Sequence, residues 1–241
     1  MARQHAAEAF VEQLQILARS GHPHFLEGGQ AVNVWAEVYS PRLPALSDLS
    51  PFTSKDCDVW TSYEMFQALE KERLLPGRLI KSDSPLDGQL GILQLQAPPR
   101  IIDFLQSVYG LNEDELQRAR KRMLVVLGIH VLDPLYLFKG KCHNFIDLNQ
   151  AGRQDLRHLE ILKLVIPMHL DSALERACEN AISQRELINE IKLLLSFKKD
   201  DRVRDVLVAL DCKLSDLLPL DRLNSCGLEK VERFVSSQLA D

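Results

Sequence analysis

The chain has 241 residues, 46% of them hydrophobic and 26% charged, with a formal net charge of −5. This supports one large core or two small ones and excludes a disordered chain. The negative balance argues against bulk nucleic-acid affinity but leaves room for a local basic groove. Five cysteines, at Cys57, Cys142, Cys178, Cys212 and Cys226, include no CxxC pair and are odd in number. They read as free thiols, mostly buried, in a reducing compartment. The opening stretch lacks a secretory charged-then-apolar pattern, and no apolar run approaches the roughly 20 residues that cross a bilayer. The expectation is a cytoplasmic protein with no membrane partner.

Residues 3–19 carry apolar side chains at helical spacing, and Gly21 and Pro23 end that helix. "HFLE" reads as a short strand meeting a glycine turn. "QAVNVWAEVY" comes next as a helix with Ala31, Val34, Trp35 and Val38 on one face. Residues 40–52 hold three prolines and read as a loop. "KDCDVW" is the next strand and 62–74 the next helix. Between 78 and 105, "RLIK", "GQLGILQLQ" and "RIIDFL" predict three strands. After Gly110 the pattern predicts helices at 112–123, 134–148, 152–165, 171–179, 183–196, 200–210 and 228–239. The expected fold is therefore an α/β (α+β) domain over 1–110, a mixed sheet flanked by helices. An all-α domain is expected over 111–241.

Three features carry candidate chemistry. Gly28 and Gly29 stand at a strand-to-helix junction, where glycine lets a ligand approach and the helix start attracts phosphate. An ordinary tight turn is the plain alternative. Asp56 and Asp58 are two residues apart in a strand, so their side chains share a face and repel unless a cation lies between them. A divalent ion answers that need, and a solvated strand face is the alternative. Asp103 interrupts an apolar strand. It either ends the strand as a helix N-cap or joins the first two in a three-carboxylate metal site.

Together these elements resemble the DNA polymerase β-like nucleotidyltransferase superfamily. Its pattern of strand, glycine turn, helix, DxD strand and later carboxylate matches Gly28 and Gly29, Asp56 and Asp58, then Asp103, over residues 22–105. In the later half, "LFKGKCHNFIDLNQAGRQDLRHLEIL" is similar to the AbiEii-type and related minimal nucleotidyltransferases. Lys141 matches a motif lysine, and Arg153 and Asp155 match an Arg-Asp pair. His158 stands where a second acid is usual, Gln30 where Thr or Ser is common, and "TSK" where an arginine precedes the DxD strand. The resemblance implies Mg²⁺, or Mn²⁺, held by Asp56, Asp58 and Asp103. It implies a nucleoside triphosphate bound by Gly28, Gly29, Gln30, Ser54, Lys139 and Lys141. The acceptor would be tRNA, a protein or a small molecule, and the protein the toxin of a toxin–antitoxin or phage-defence system with an antitoxin partner.

Plainer readings stand beside these. Lys139 and Lys141 read equally as exposed helix lysines. Arg153 and Asp155 would make a local pair at a helix start, where the acid suits the dipole. Arg118, Arg120, Lys121 and Arg122 come after Glu113, Asp114 and Glu115, as dipole compensation alone would arrange them; gripping RNA is the weaker reading. His22, His24, His143 and His158 receive no role. The departures at Gln30 and His158 motivate a second class of function, a nucleotidyltransferase-like binding or regulatory module without turnover.

Overall fold

The computed structural model describes residues 4–83 and 88–238. Residues 3 and 239, at the outer ends of two predicted helices, lie outside them. A 3-10 turn at Ala7–Phe10 leads into α1 (Val11–Arg19), which buries Leu14 and Leu17. β1 (His24–Glu27) is buried along its length and passes directly into α2 (Gly28–Tyr39), with Gly28 at φ +65° at the junction. β2 (Cys57–Thr61) succeeds the proline-rich segment, and α3 (Tyr63–Glu72) starts with Ser62 accepting from Met65 N–H. β3 (Arg78–Lys81), β4 (Gln89–Gln96) and β5 (Pro99–Leu105) complete the predicted strands.

The sequence beyond residue 110 is not all-α. After α4 (Glu113–Arg122), with its Asn112–Glu115 capping box, come β6 (Leu124–Val126) and β7 (Ile129–Val131). Their two-residue turn has Leu127 at φ +53° and Gly128 at φ +76°. Positive φ at both positions is the geometry that suits a tight hairpin. Leucine is an unusual occupant, so the turn carried no sequence signal. β7 pairs in parallel with β1 through Leu26 and Val131, so the sheet crosses the expected boundary at 110. Among the described residues the mixed sheet has seven strands, in the order β3-β4-β5-β2-β1-β7-β6.

The remaining chain forms α5 (Pro134–Asp147), α6 (Asp155–Cys178), α7 (Gln184–Ser196), α8 (Asp201–Ala209), α9 (Leu220–Leu223) and α10 (Glu229–Gln238). The two helices expected at 152–165 and 171–179 are one. Pro167 lies inside α6 without ending it. Proline removes one helix hydrogen bond, but Leu162, Val165, Ile166 and Leu170 around it are fully buried, and that packing carries the helix through. α2 touches β1 and β2 as well as α5 and α6, so the helical half closes over the helix that joins the two central strands. This explains why Val32, Asn33 and Ala36, outside the expected apolar face, are also fully buried. All five cysteines are free, with Cys178 the exposed one. Among the described residues no helix is long and apolar enough to cross a membrane.

Candidate active site

Strand register assembles the acidic side of the site. β2 runs antiparallel to β1 and parallel to β5, which sets Asp58 between Glu27 on one side and Asp103 on the other. Asp56 lies in the bend just before β2. One carboxylate oxygen from each of Asp56, Asp58 and Asp103 falls within 4.8 Å of the others. Burial, then the charges of Asp56 and Asp103, push the Asp58 carboxyl up to about 7; Lys141 and Arg153 only partly oppose this. Burial and Asp56 push Asp103 to about 6, against a 2.6 Å hydrogen bond donated by Gln89 Nε2 to its Oδ1. Burial and Asp58 raise Glu27 well above the usual carboxylate range. Its Oε1 is buried and has no hydrogen-bond partner among the described residues.

The glycine pair fits against these groups with no room to spare. A Cβ on Gly28 would lie 2.0 Å from Asp58 Oδ2, and one on Gly29 would lie 2.8 Å from His158 Cε1 and 2.9 Å from Ser54 Oγ. No side chain caps the start of α2, so its first N–H groups face the same region with the partial positive charge of a helix end. Ser54 Oγ approaches Asp56 Oδ1 at 3.4 Å.

The opposite wall is cationic. Lys141 Nζ donates to Asp155 Oδ1 at 2.9 Å, and Arg153 Nε donates to Asp155 Oδ2 at 2.5 Å. Burial works against the Asp155 charge, yet Lys141 and Arg153 hold its carboxyl below the ordinary range. Lys55 Nζ donates to Gly152 O at 2.9 Å, and Gln154 Nε2 to Thr53 O at 3.4 Å. Arg157 donates to Leu49 O at 3.0 Å through Nε. These bonds fasten the start of α6 to the segment carrying Asp56. A cavity of about 370 Å³ lies between the walls, with Tyr136, Leu137 and Asn144 of α5 along its side. That volume is in the range of small-molecule sites.

Seven of the nine residues singled out from the sequence gather here or adjoin the cavity: Gly28, Gly29, Ser54, Asp56, Asp58, Asp103 and Lys141. Two do not. Gln30 turns away, donating through Nε2 to His5 O at 2.8 Å and accepting from Asn33 Nδ2 at 3.2 Å; it ties the N-terminal segment to α2. Lys139 points elsewhere on α5, 2.5 Å from Glu115 Oε1 and 3.6 Å from Asp200 Oδ2. Neither lysine is exposed, at 8% and 6% for Lys139 and Lys141. Both are buried because each has an acidic partner.

Sequence reasoning missed Glu27 and His158. A glutamate closing an apolar strand ahead of two glycines was a usable signal for the first. His158 sits among apolar positions of a helix and read as a core residue. Its ring lines the cavity, and burial and then Lys141 lower its pKa to about 3.

Comparison with known proteins adds little. No family model matches the chain, and no curated protein does. Among solved structures, the crystal structure of JHP933 from Helicobacter pylori aligns over 96% of this chain and 93% of that one. The identity is 16% and the TM-score 0.41. Any functional reading therefore rests on the residues of this chain.

Proposed function

We propose that the protein is a metal-dependent nucleotidyltransferase, which moves a nucleoside monophosphate from a nucleoside triphosphate to a hydroxyl acceptor. One observation carries this: three carboxylates converge within 4.8 Å beside a glycine-started helix, across a cleft from Lys141 and Arg153. The donor set is all oxygen, which suits a hard ion such as Mg²⁺ or Mn²⁺. Burial, and then mutual repulsion, raise Asp58 and Asp103, and such an ion would offset both. Asp56, Asp58 and Asp103 would hold it. When bound, it would supply charge stabilisation to the phosphoryl oxygens of the transition state.

The residues of the chain divide the remaining work. The N–H groups at Gly28 and Gly29 seat phosphate oxygens, and Lys141 faces the charge from the helical wall. Asp103 has Oδ1 occupied by Gln89, which leaves Oδ2 to take the acceptor's proton. In the transfer, the acceptor oxygen bonds to the α-phosphorus and the bond from that phosphorus to the β-phosphate oxygen breaks. Pyrophosphate leaves with the electron pair, and the proton passes through Asp103 to water. Acceptors of this chemistry are hydroxyls of RNA, of protein side chains or of small molecules.

The test is to incubate the full chain with Mg²⁺ or Mn²⁺, each α-labelled nucleoside triphosphate, and cellular RNA, protein or small-molecule fractions. Label should move to one acceptor class, and Asp58→Asn should stop it. If triphosphates bind and no label moves under any combination, the chain is a binding module and the transfer reading falls.

A further inference from the structure

His158 is the buried polar group that the carboxylate chemistry leaves unexplained. It is 4% exposed, and neither Nδ1 nor Nε2 has a hydrogen-bond partner among the described residues. A neutral imidazole carries one donor and one acceptor, and leaving such groups buried and unpaired is costly. His158 lines the cavity, so a ligand there that reaches a ring nitrogen would offset that cost.

The surroundings say what the ligand is. Gly29 lies directly against the ring, and a methyl group in place of its hydrogen would meet Cε1 at 2.8 Å. The preceding glycine lies directly against Asp58. The two successive glycines thus stand against the carboxylates and the imidazole in turn, so a molecule in the cavity beside them has both groups within its span. Lys141, Arg153 and the uncapped start of α2 border the same cavity with one acid, Asp155, between the two cations, so the charge left over on this side favours an anion. A neutral donor adds a hydrogen bond there without burying a further cation.

The geometry points to His158 as a phosphate-binding residue, donating a hydrogen bond from its ring to an oxygen of the pyrophosphate portion of the triphosphate. This rests on the transfer reading for the identity of the ligand. It assigns the ring to the leaving-group end and the three aspartates to the reacting phosphorus. Burial and the nearby Lys141, which keep the ring uncharged, agree with that role.

The test uses the full chain labelled with ¹⁵N-histidine and titrated with inorganic pyrophosphate in the presence of Mg²⁺. The His158 ring nitrogens should shift as pyrophosphate binds. His158→Phe should weaken pyrophosphate binding about tenfold, His158→Asn should recover most of it, and Mn²⁺ binding alone should be unchanged in both. An unmoved His158 signal at saturating pyrophosphate overturns the assignment, and it does so in the unmutated protein. Equal pyrophosphate affinity in the Phe variant overturns it as well. If the ring responds but no nucleotide is ever transferred, the phosphate seat stands and the transfer reading alone falls. If transfer occurs with an unresponsive ring, the reverse holds.

Discussion

Two regions of the molecule bury charge, and they do it in opposite ways. Where α4, α5, α7 and α8 meet, buried charges are paired. Asp133 is 2% exposed; it caps α5 by accepting from Leu135 N at 2.8 Å and takes Arg122 Nη2 at 3.0 Å. Lys139 pairs with Glu115, and His143 Nε2 lies 2.9 Å from Asp200 Oδ2. In the cleft, Glu27, Asp56, Asp58 and Asp103 crowd together, and Lys141 and Arg153 across from them are already committed to Asp155. The first arrangement is what a fold needs to hold itself together. The second costs the fold something, which a cation bound as proposed would offset.

The contrast can be broken or sharpened by substitution. The largest effect belongs to the cleft. Asp58→Asn should lower transfer at least about a thousandfold, while raising the thermal stability of the metal-free protein at pH 8, because one repelling charge is gone. A variant that loses both activity and stability would place Asp58 with the structural pairs instead.

Next comes Asp133→Ala, which leaves Arg122 with Glu190 alone, 3.6 Å away, and removes a helix cap. Losing a cap and a charged hydrogen bond together costs about 2–3 kcal/mol. Denaturant unfolding should show that loss, with transfer per folded molecule unchanged.

A smaller effect concerns pH. Asp58 and Asp103 are raised to about 7 and about 6 from 3.8. Above pH 4 the folded state therefore keeps protons that the unfolded chain has released. Their contribution to stability is full below the unfolded pKa and is lost as pH rises through 6 and 7. In EDTA, Tm should fall over that range; with Mg²⁺ or Mn²⁺ the fall should shrink, by about 1–2 kcal/mol of stability at pH 8. A metal-induced rise in Tm that is the same at pH 5 and pH 8 would remove the carboxylates as ligands.

The smallest contrast is between neighbours on α5. Lys141→Met should raise the KM for the triphosphate about tenfold, whereas Lys139→Met should change it less than about twofold. Steady-state kinetics on the two variants would separate them, and equal effects would return Lys139 to the cleft.

How much of this was legible in the sequence depended on whether the signal was local. Five strands between residues 24 and 105 announced themselves through apolar runs bounded by Gly, Pro and Asp, and the structure has all five. The β6–β7 hairpin did not, because each strand is three residues long and Leu127 occupies a turn position where Asn or Gly is the usual marker. The gap expected between residues 165 and 171 does not open, because the packing around Pro167 carries α6 through. In the site, the DxD spacing predicted a shared strand face for Asp56 and Asp58; Asp56 instead lies in the bend before β2, yet its carboxylate still reaches the others, and that Asp103 lies beside Asp58 is a fact of strand pairing. Gln30 and Lys139 were misplaced for a related reason. A motif gives position along a helix, whereas the direction of a side chain is set by the partner it finds, here His5 O and Glu115.

The parallel match of Asp58 with Asp103 also fixes a parity along the chain. Inserting or deleting one residue within β5 ahead of Asp103 would turn that carboxylate to the far side of the sheet. A change of two would restore the side but displace the group along the strand by roughly 6–7 Å. Length variation in this strand is therefore forbidden in both odd and even steps.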